Sequence, residues 1–181
     1  LPWQAANPVP QLPNFARAGE ITFSNRNVID RHILSPELIA QGVVFAPLAE
    51  ALRDQGDIIR QYFQKHPANL GSEKFVALNT AFTNCGALLF VPKGVEVTSP
   101  VVVKHTLSGD GMSAFPHTLV ILEENAKATL VEYFSSAHGE EKHLVSGVND
   151  LHAGPGAQLT YVGLQNWSNK TLSFQTNSIV A

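Results

Sequence analysis

A pattern of ten residues occurs three times in this chain at a constant spacing of thirty-one. Leu89-Phe90-Val91-Pro92-Lys93-Gly94-Val95-Glu96-Val97-Thr98 is followed by Val120-Ile121-Leu122-Glu123-Glu124-Asn125-Ala126-Lys127-Ala128-Thr129, and that by Leu151-His152-Ala153-Gly154-Pro155-Gly156-Ala157-Gln158-Leu159-Thr160. Each copy reads apolar strand, turn, alternating strand. Gly94, Asn125 and Gly156 share a column, and these residue types tolerate a positive φ at a tight turn. Val97, Ala128 and Leu159 form an apolar column between the polar columns Glu96/Lys127/Gln158 and Thr98/Thr129/Thr160, which is strand alternation with one face buried. A constant offset puts like residues in like surroundings if the copies stack as parallel strands about 4.8 Å apart. Glu96 then faces Lys127, and the threonines line up. Three apolar-turn-apolar units also fit a β-sandwich that reuses hairpins. The fixed period favours the solenoid. A left-handed hexapeptide coil is disfavoured, because thirty-one is not a multiple of six and no six-residue aliphatic rhythm appears.

The residues before the repeat follow other rules. Pro2, Pro8, Pro10 and Pro13 favour extended backbone, so residues 1–20 are expected to form an arm or linker. Residues 21–73 are expected to cap the core. Ile21-Thr22-Phe23 reads as a short strand and Val43-Val44-Phe45 as a second apolar burst. Leu48 and Leu52 then recur at helical spacing up to Gly56. Asp57 reads as the cap of a second helix carrying the stripe Ile58, Ile59, Tyr62 and Phe63, and His66-Pro67 as its end. From Lys74 the helical signal fades and strands take over, so residues 74–181 are expected to be an all-β core. The chain begins without methionine and stops in the strand-like Ser178-Ile179-Val180-Ala181, which reads as a piece of something longer.

Composition narrows the function classes. Twelve Lys+Arg against fifteen Asp+Glu leave a net charge of −3, with no basic excess to neutralise phosphates. Nucleic acid is not an expected partner. With 44% hydrophobic and 15% charged residues, 181 residues bury a real core. No apolar run approaches the roughly 20 residues of a membrane-spanning helix. A single cysteine, Cys85, forbids an intrachain disulfide and a four-thiolate site, which fits a cytoplasmic address. Residues 151–181 hold one charged residue, Lys170, so this segment is sheltered, polar-neutral or covered by a partner.

Each chemically capable residue has a plainer reading beside it. Cys85 sits in Asn84-Cys85-Gly86 with no neighbouring cation to activate it, and reads as a small buried or turn residue. His138, His143 and His152, with Glu140 and Glu141, form the densest histidine and acid group, but their spacing follows no metal-ligand rule. His105 and His117 border strands and read as structural or surface histidines. Polysaccharide chemistry on a solenoid needs converging carboxylates, whereas Asp110, Glu123, Glu124, Glu132 and Asp150 are scattered. Gly109-Asp110-Gly111 is a flexible turn. No phosphate-cradling loop, serine elbow or zinc-protease spacing occurs. No catalytic, cofactor-binding or metal residue is assigned, and a scaffold is favoured over an enzyme.

Four segments in order resemble the SufB/SufD family of iron-sulfur cluster assembly scaffolds: Gly42 to Leu52, Lys74 to Phe82, Gly86 to Val95 and His117 to Glu132. The resemblance covers roughly residues 43–164. It implies a right-handed parallel β-helix between helical domains, and a role in assembling clusters with a SufB-like paralogue and a SufC-like ATPase. The ATPase contact falls in a C-terminal helical domain, and the paralogue contact on β-helix strands. SufB-type members tend to place a cysteine soon after the strand matching Leu130-Val131-Glu132. Tyr133-Phe134-Ser135-Ser136 stand there, which favours the SufD branch. The expectation is a non-enzymatic scaffold that binds no cofactor alone, with the cluster formed on the assembled complex. Its strand edge suits pairing with the paralogue or with a second copy. The rivals are a β-helical polysaccharide lyase or hydrolase and a histidine metal module.

Overall fold

The computed structural model describes residues 12–65 and 73–181. In chain order these form β1 (Gly19–Ser24), β2 (Asn27–His32), α1 (Pro36–Ala40), β3 (Val44–Pro47), α2 (Leu48–Asp54), α3 (Gly56–Tyr62) and α4 (Glu73–Phe82). Strands then run without a further helix: β4 (Ala87–Val91), β5 (Val101–Leu107), β6 (Met112–Ala114), β7 (His117–Leu122), β8 (Lys127–Ser136), β9 (His143–Ala153), β10 (Gln158–Asn166) and β11 (Thr171–Val180). They alternate between two sheets, ordered β10-β8-β5-β1-β2 and β11-β9-β7-β4-β3, with β6 beside β9. The result is a β-solenoid of about three coils, each giving one strand to each sheet. The repeat is therefore physical. Leu119 pairs with Leu88 and Asp150, and Thr129 pairs with Thr160.

The turn column is built as its residue types require. Gly94, Asn125 and Gly156 have φ of 72°, 59° and 70°, the left-handed region that these residues enter at least cost. They also stack. Gly94 N–H donates to Glu124 O at 2.9 Å, and Asn125 N–H to Pro155 O at 2.9 Å. A Cβ on Gly156 would come within 2.3 Å of Asn125 Oδ1.

The ladder is not uniform. Glu96 faces Lys127, thirty-one residues on, but Val101 faces Leu130, twenty-nine residues on. Two residues bulge out between these pairs, so Thr98 is exposed and belongs to no named strand, while Thr129 and Thr160 remain partners. The expected three-threonine row is thus two. Pro100 explains the break, since it cannot donate to a ladder. At the far side Thr171 faces His143, twenty-eight residues back, because the connection after β10 is shorter than the one after β8.

More helix and strand precede the coils than the expected one strand and two helices. β2 runs antiparallel to β1 and β3 antiparallel to β4, so both sheets end in a reversed strand on the N-terminal side. Leu34 and Val43, flanking α1, are buried in the core cluster, with Leu38 and Phe45 packed against it. This plug closes the apolar interior. β2 is mostly exposed and polar, typical of an edge strand, and carries little alternation to read. α1 is set by Ser35, whose side chain accepts from Leu38 N–H, and by Pro36 at the first position.

Three details of the helices correct the sequence expectation. Leu52 is 50% exposed, and α2 buries Leu48 and Ala51 instead. Asp57 is not the cap of α3. Gln55 precedes the helix without a side-chain cap, and Asp57 lies in its first turn. Residues 74–82, expected to belong to the all-β core, lie instead in α4, whose Asn79 makes buried hydrogen bonds to Pro116 O and Ser146 O. The arm prolines Pro2, Pro8 and Pro10 and the pair His66-Pro67 lie outside the described residues. α3 already ends at Tyr62.

The β4–β7–β9 sheet is covered on both faces. Its inner face joins Leu89, Val91, Val120, Leu122 and Leu151 to the core. Its outer face carries Leu88, Leu119 and Ile121, which pack under Leu48, Ala51 and Ile59 of the helices. β7 is accordingly buried at every position, the near-continuous apolar run of a strand covered on both sides. Each such side chain contributes about 1.5–3 kcal/mol of burial.

Candidate functional site

Among the described residues, four buried arrangements bring together side chains that are scattered in the sequence. The first lies between the outer face of β7/β9 and the helices. His117 and Asp150 both point outward, two residues out of register on neighbouring strands. Asn79 Nδ2 donates to Pro116 O at 2.8 Å and to Ser146 O at 2.7 Å. His117 Nδ1 lies 3.1 Å from Asn79 Oδ1, and Nε2 lies 3.0 Å from Asp150 Oδ2. Gln64 N–H, just past α3, donates to the same carboxylate oxygen at 2.9 Å. Burial opposes ionisation of Asp150. The hydrogen bonds from His117 and the Gln64 backbone, with the charges of His117 and His152, outweigh it and hold the carboxyl below its usual range.

The second arrangement is inside the coil. Glu132 is fully buried and accepts from Thr118 Oγ1 at 2.6 Å, Asn149 Nδ2 at 2.7 Å and Tyr161 OH at 2.9 Å. Burial raises its pKa above the usual carboxylate value despite these donors. The same burial, with the Glu132 charge and hydrogen bond, pushes the Tyr161 phenol far up. Glu132 faces the interior and Asp150 the helices, so the sheet and core separate them.

The third is a row of rings. Phe23, His105 and Phe134 occupy one register column of β1, β5 and β8. Their rings stack at 4.9 and 5.1 Å, and Trp167 tilts onto Phe134 at 5.9 Å. Among the described residues neither nitrogen of His105 has a partner, and burial lowers its pKa to about 3. The fourth is a corner where Ser136 Oγ lies 3.0 Å from His143 Nδ1 while His143 Nε2 faces Gly109 O at 3.1 Å. Ser168 N–H donates to Ser136 Oγ at 2.9 Å. This serine is buried and already engaged, so it acts as a structural hydroxyl.

The other residues singled out from sequence are structural or lie apart. Cys85 is buried and its thiol is pushed up to about 12, chiefly by burial, so it is not a nucleophile at neutral pH. His143 and His152 stand nine residues apart on the single extended strand β9, which separates them by roughly 30 Å. His138 lies in the preceding loop. Among the described residues no three His, Cys, Asp or Glu side chains come together as a metal site. Lys170 pairs with Glu140 at 2.8 Å, and Lys142 N–H donates to Asp110 at 2.7 Å. Glu123 accepts from Lys93 N–H and Glu124 pairs with Lys93 Nζ at 2.6 Å. A groove of about 390 Å³ between Tyr62, Lys93, His152 and Val180 is lined by these same carboxylates. Among the described residues no helix is long and apolar enough to cross a membrane.

Comparison with known proteins agrees with this architecture. Residues 14–103 match the "SufBD protein N-terminal region" and residues 105–181 the "SUF system FeS cluster assembly, SufBD core domain". The chain belongs to the SufB/SufD family. It is 30% identical over 141 residues to the iron-sulfur cluster assembly protein SufD of Bacillus subtilis, covering 78% of this chain and 32% of that protein. It is 32% identical over 151 residues to SufB of the same bacterium, covering 82% and 32%. An iron-sulfur cluster assembly SufBD family protein of Staphylococcus epidermidis is 30% identical over 146 residues, covering 80% and 31%. The chain thus spans about a third of the length of these SufB/SufD relatives. Glu132 and its three hydrogen-bond donors lie within the stretch that matches the SufBD core domain, and buried Cys85 within the stretch that matches the N-terminal region.

Proposed function

We propose that the chain serves as a non-enzymatic, SufD-like scaffold within a cytoplasmic iron-sulfur cluster assembly complex, alongside a SufB-like paralogue and a SufC-like ATPase. The cluster is the cargo of that complex, and this chain holds none alone. One observation carries the reading. The polypeptide offers no usable thiol: Cys85 is buried with its pKa at about 12, and Tyr133-Phe134-Ser135-Ser136 follow Leu130-Val131-Glu132. A scaffold without a thiolate supplies surfaces rather than sulfur.

The decisive experiment is affinity purification of the intact protein from its own cells. Recovery of an ATPase and a SufB-type paralogue in fixed stoichiometry is expected, and recovery of the protein alone would overturn the proposal.

A further inference from the structure

Asn79, His117 and Asp150 join three elements that are distant in sequence, and the direction of every hydrogen bond among them is fixed. The Asn79 amide cannot be reversed. Its nitrogen donates to two backbone carbonyls, Pro116 O and Ser146 O, so Oδ1 must face His117 Nδ1 as an acceptor. Thr83 Oγ1 donates to that same oxygen at 3.0 Å and to Asn79 O at 2.6 Å, which agrees with this orientation. On the other side of the ring, Asp150 Oδ2 accepts from Gln64 N–H and faces His117 Nε2. Both ring nitrogens therefore look at acceptors. A neutral imidazole has one donor and one lone pair, and would set that lone pair against another.

We propose that His117 is held as an imidazolium and acts as a proton-dependent clasp fastening α3 and α4 to the solenoid. The ring is 0% exposed, as is Asn79, and Asp150 is 4% exposed, so no bulk water can substitute for a missing partner. The Phe63 ring, at the end of α3, covers the imidazole at a centroid distance of 4.2 Å and a tilt of 36°, a face contact that suits a cation. The clasp also governs chain direction. After Tyr62 the backbone leaves the helix, so that Phe63 covers the ring and the Gln64 amide reaches the carboxylate.

The surroundings set the window in which the clasp closes. From β9 come Asp150 and His152, from β8 the Glu132 carboxyl, from the turn before β4 the Cys85 thiol, and from α3 the Tyr62 ring against His152. α4 contributes Asn79 and no charge at this point. Removing one ring proton leaves two facing lone pairs, and the α3–α4 layer then loses its polar tie to β7 and β9. Protonating Asp150 in acid removes the counter-charge.

The test uses the intact protein labelled with nitrogen-15 and a long-range correlation of the His117 ring, with the exposed His32 as internal reference. Both His117 nitrogens are expected to show the protonated signature at pH 7, and a neutral tautomer would overturn the proposal. Hydrogen exchange supplies the second arm. As pH rises and the ring proton is lost, amides of 56–62 and 73–82 are expected to lose protection by about tenfold or more relative to β8. Equal loss in helices and β8, or none, would overturn it. Asp150→Asn removes the counter-charge, and an amide nitrogen in the place of Oδ2 donates to a neutral ring at the expense of the bond that Oδ2 accepts from Gln64 N–H. The substitution is expected to leave the protein folded, convert His117 to the Nδ1-protonated tautomer and abolish the pH dependence of helix protection. Retained pH dependence in Asp150→Asn would show that another group sets it.

Discussion

His105 on β5 and His117 on β7 stand in different sheets of the solenoid and are equally hidden, at 2% and 0% exposure, yet their surroundings are opposite. His105 points into the solenoid, where the neighbouring positions on β1 and β8 are phenylalanines. That interior offers it ring faces and no hydrogen-bond partner. His117 points out of it, toward helices that bring Asn79 and the Gln64 amide from outside the repeat. A coil built from like residues in like rows can supply only what its own columns contain. Glu132 is matched by the coil's own strands, whereas the matching of His117 draws on segments outside the repeat.

The largest effect is expected from removing the matched ring. His117→Leu leaves Asp150 with the Gln64 N–H but no counter-charge, and the Asn79 oxygen with the Thr83 hydroxyl alone, in a dry layer. Breaking a buried charge pair this way costs about 3–5 kcal/mol, so the urea midpoint should fall sharply. A small change would mean that water enters the layer and that the two histidines differ less than their hydrogen bonds suggest.

The unmatched ring sets the acid response. The His105 pKa is depressed in the folded state, from 6.5 to about 3, so the unfolded chain takes the proton first. The stability linked to neutral His105 is full above pH 6.5 and is lost as pH falls toward 3, at roughly 1 kcal/mol per pH unit. Asp150 acts later, because its depressed pKa keeps its contribution in place until pH drops below the ordinary 3.8. Glu132 runs the other way. Its raised pKa favours the fold below 4.5 and disfavours it as pH rises through the folded value. Denaturant titrations between pH 7 and 4 of the protein and of His105→Phe should differ by the His105 slope, the Glu132 contribution being common to both.

The same substitution sharpens the comparison at neutral pH. Phenylalanine continues the Phe23 and Phe134 stack and removes two buried nitrogens that have no partner. An unsatisfied buried polar group costs about 1–3 kcal/mol, so His105→Phe should raise stability by roughly that amount, less any overpacking strain. Phenylalanine at 117 should do the opposite. A loss at both positions would indicate that the ladder needs the smaller ring rather than a neutral one.

Much of this frame is legible in the residues. The thirty-one-residue columns, the left-handed turns at Gly94, Asn125 and Gly156, and the inward alternation follow from local rules that the fold obeys. Even half of the clasp lies in the register. Val148 sits beside His117, so Asp150, two residues along, shares its outward face. Asn79 could not be found that way, because α4 enters from outside the repeat and carries no strong apolar stripe. Likewise Ser99-Pro100 shift the register where sequence alignment alone keeps it constant. Whether a histidine is matched depends on which non-repeating segment crosses it, and the period is silent on that.

The smallest expected effect separates two explanations for the Asn79 orientation. If Pro116 O and Ser146 O fix the amide, Thr83 merely adds a second donor to an oxygen already held toward His117. Thr83→Val should then cost about 0.5–1.5 kcal/mol, the net value of an ordinary hydrogen bond, and leave both His117 ring protons in place. If the hydroxyl instead orients the amide, its loss lets Asn79 turn its nitrogen toward the ring, and His117 becomes a neutral acceptor at Nδ1. The ring-nitrogen signature in Thr83→Val distinguishes the two, even where the change in stability is the same. An unchanged imidazolium means the carbonyls of the coil impose the polarity on the helix, so the repeat does reach the matched histidine through its backbone.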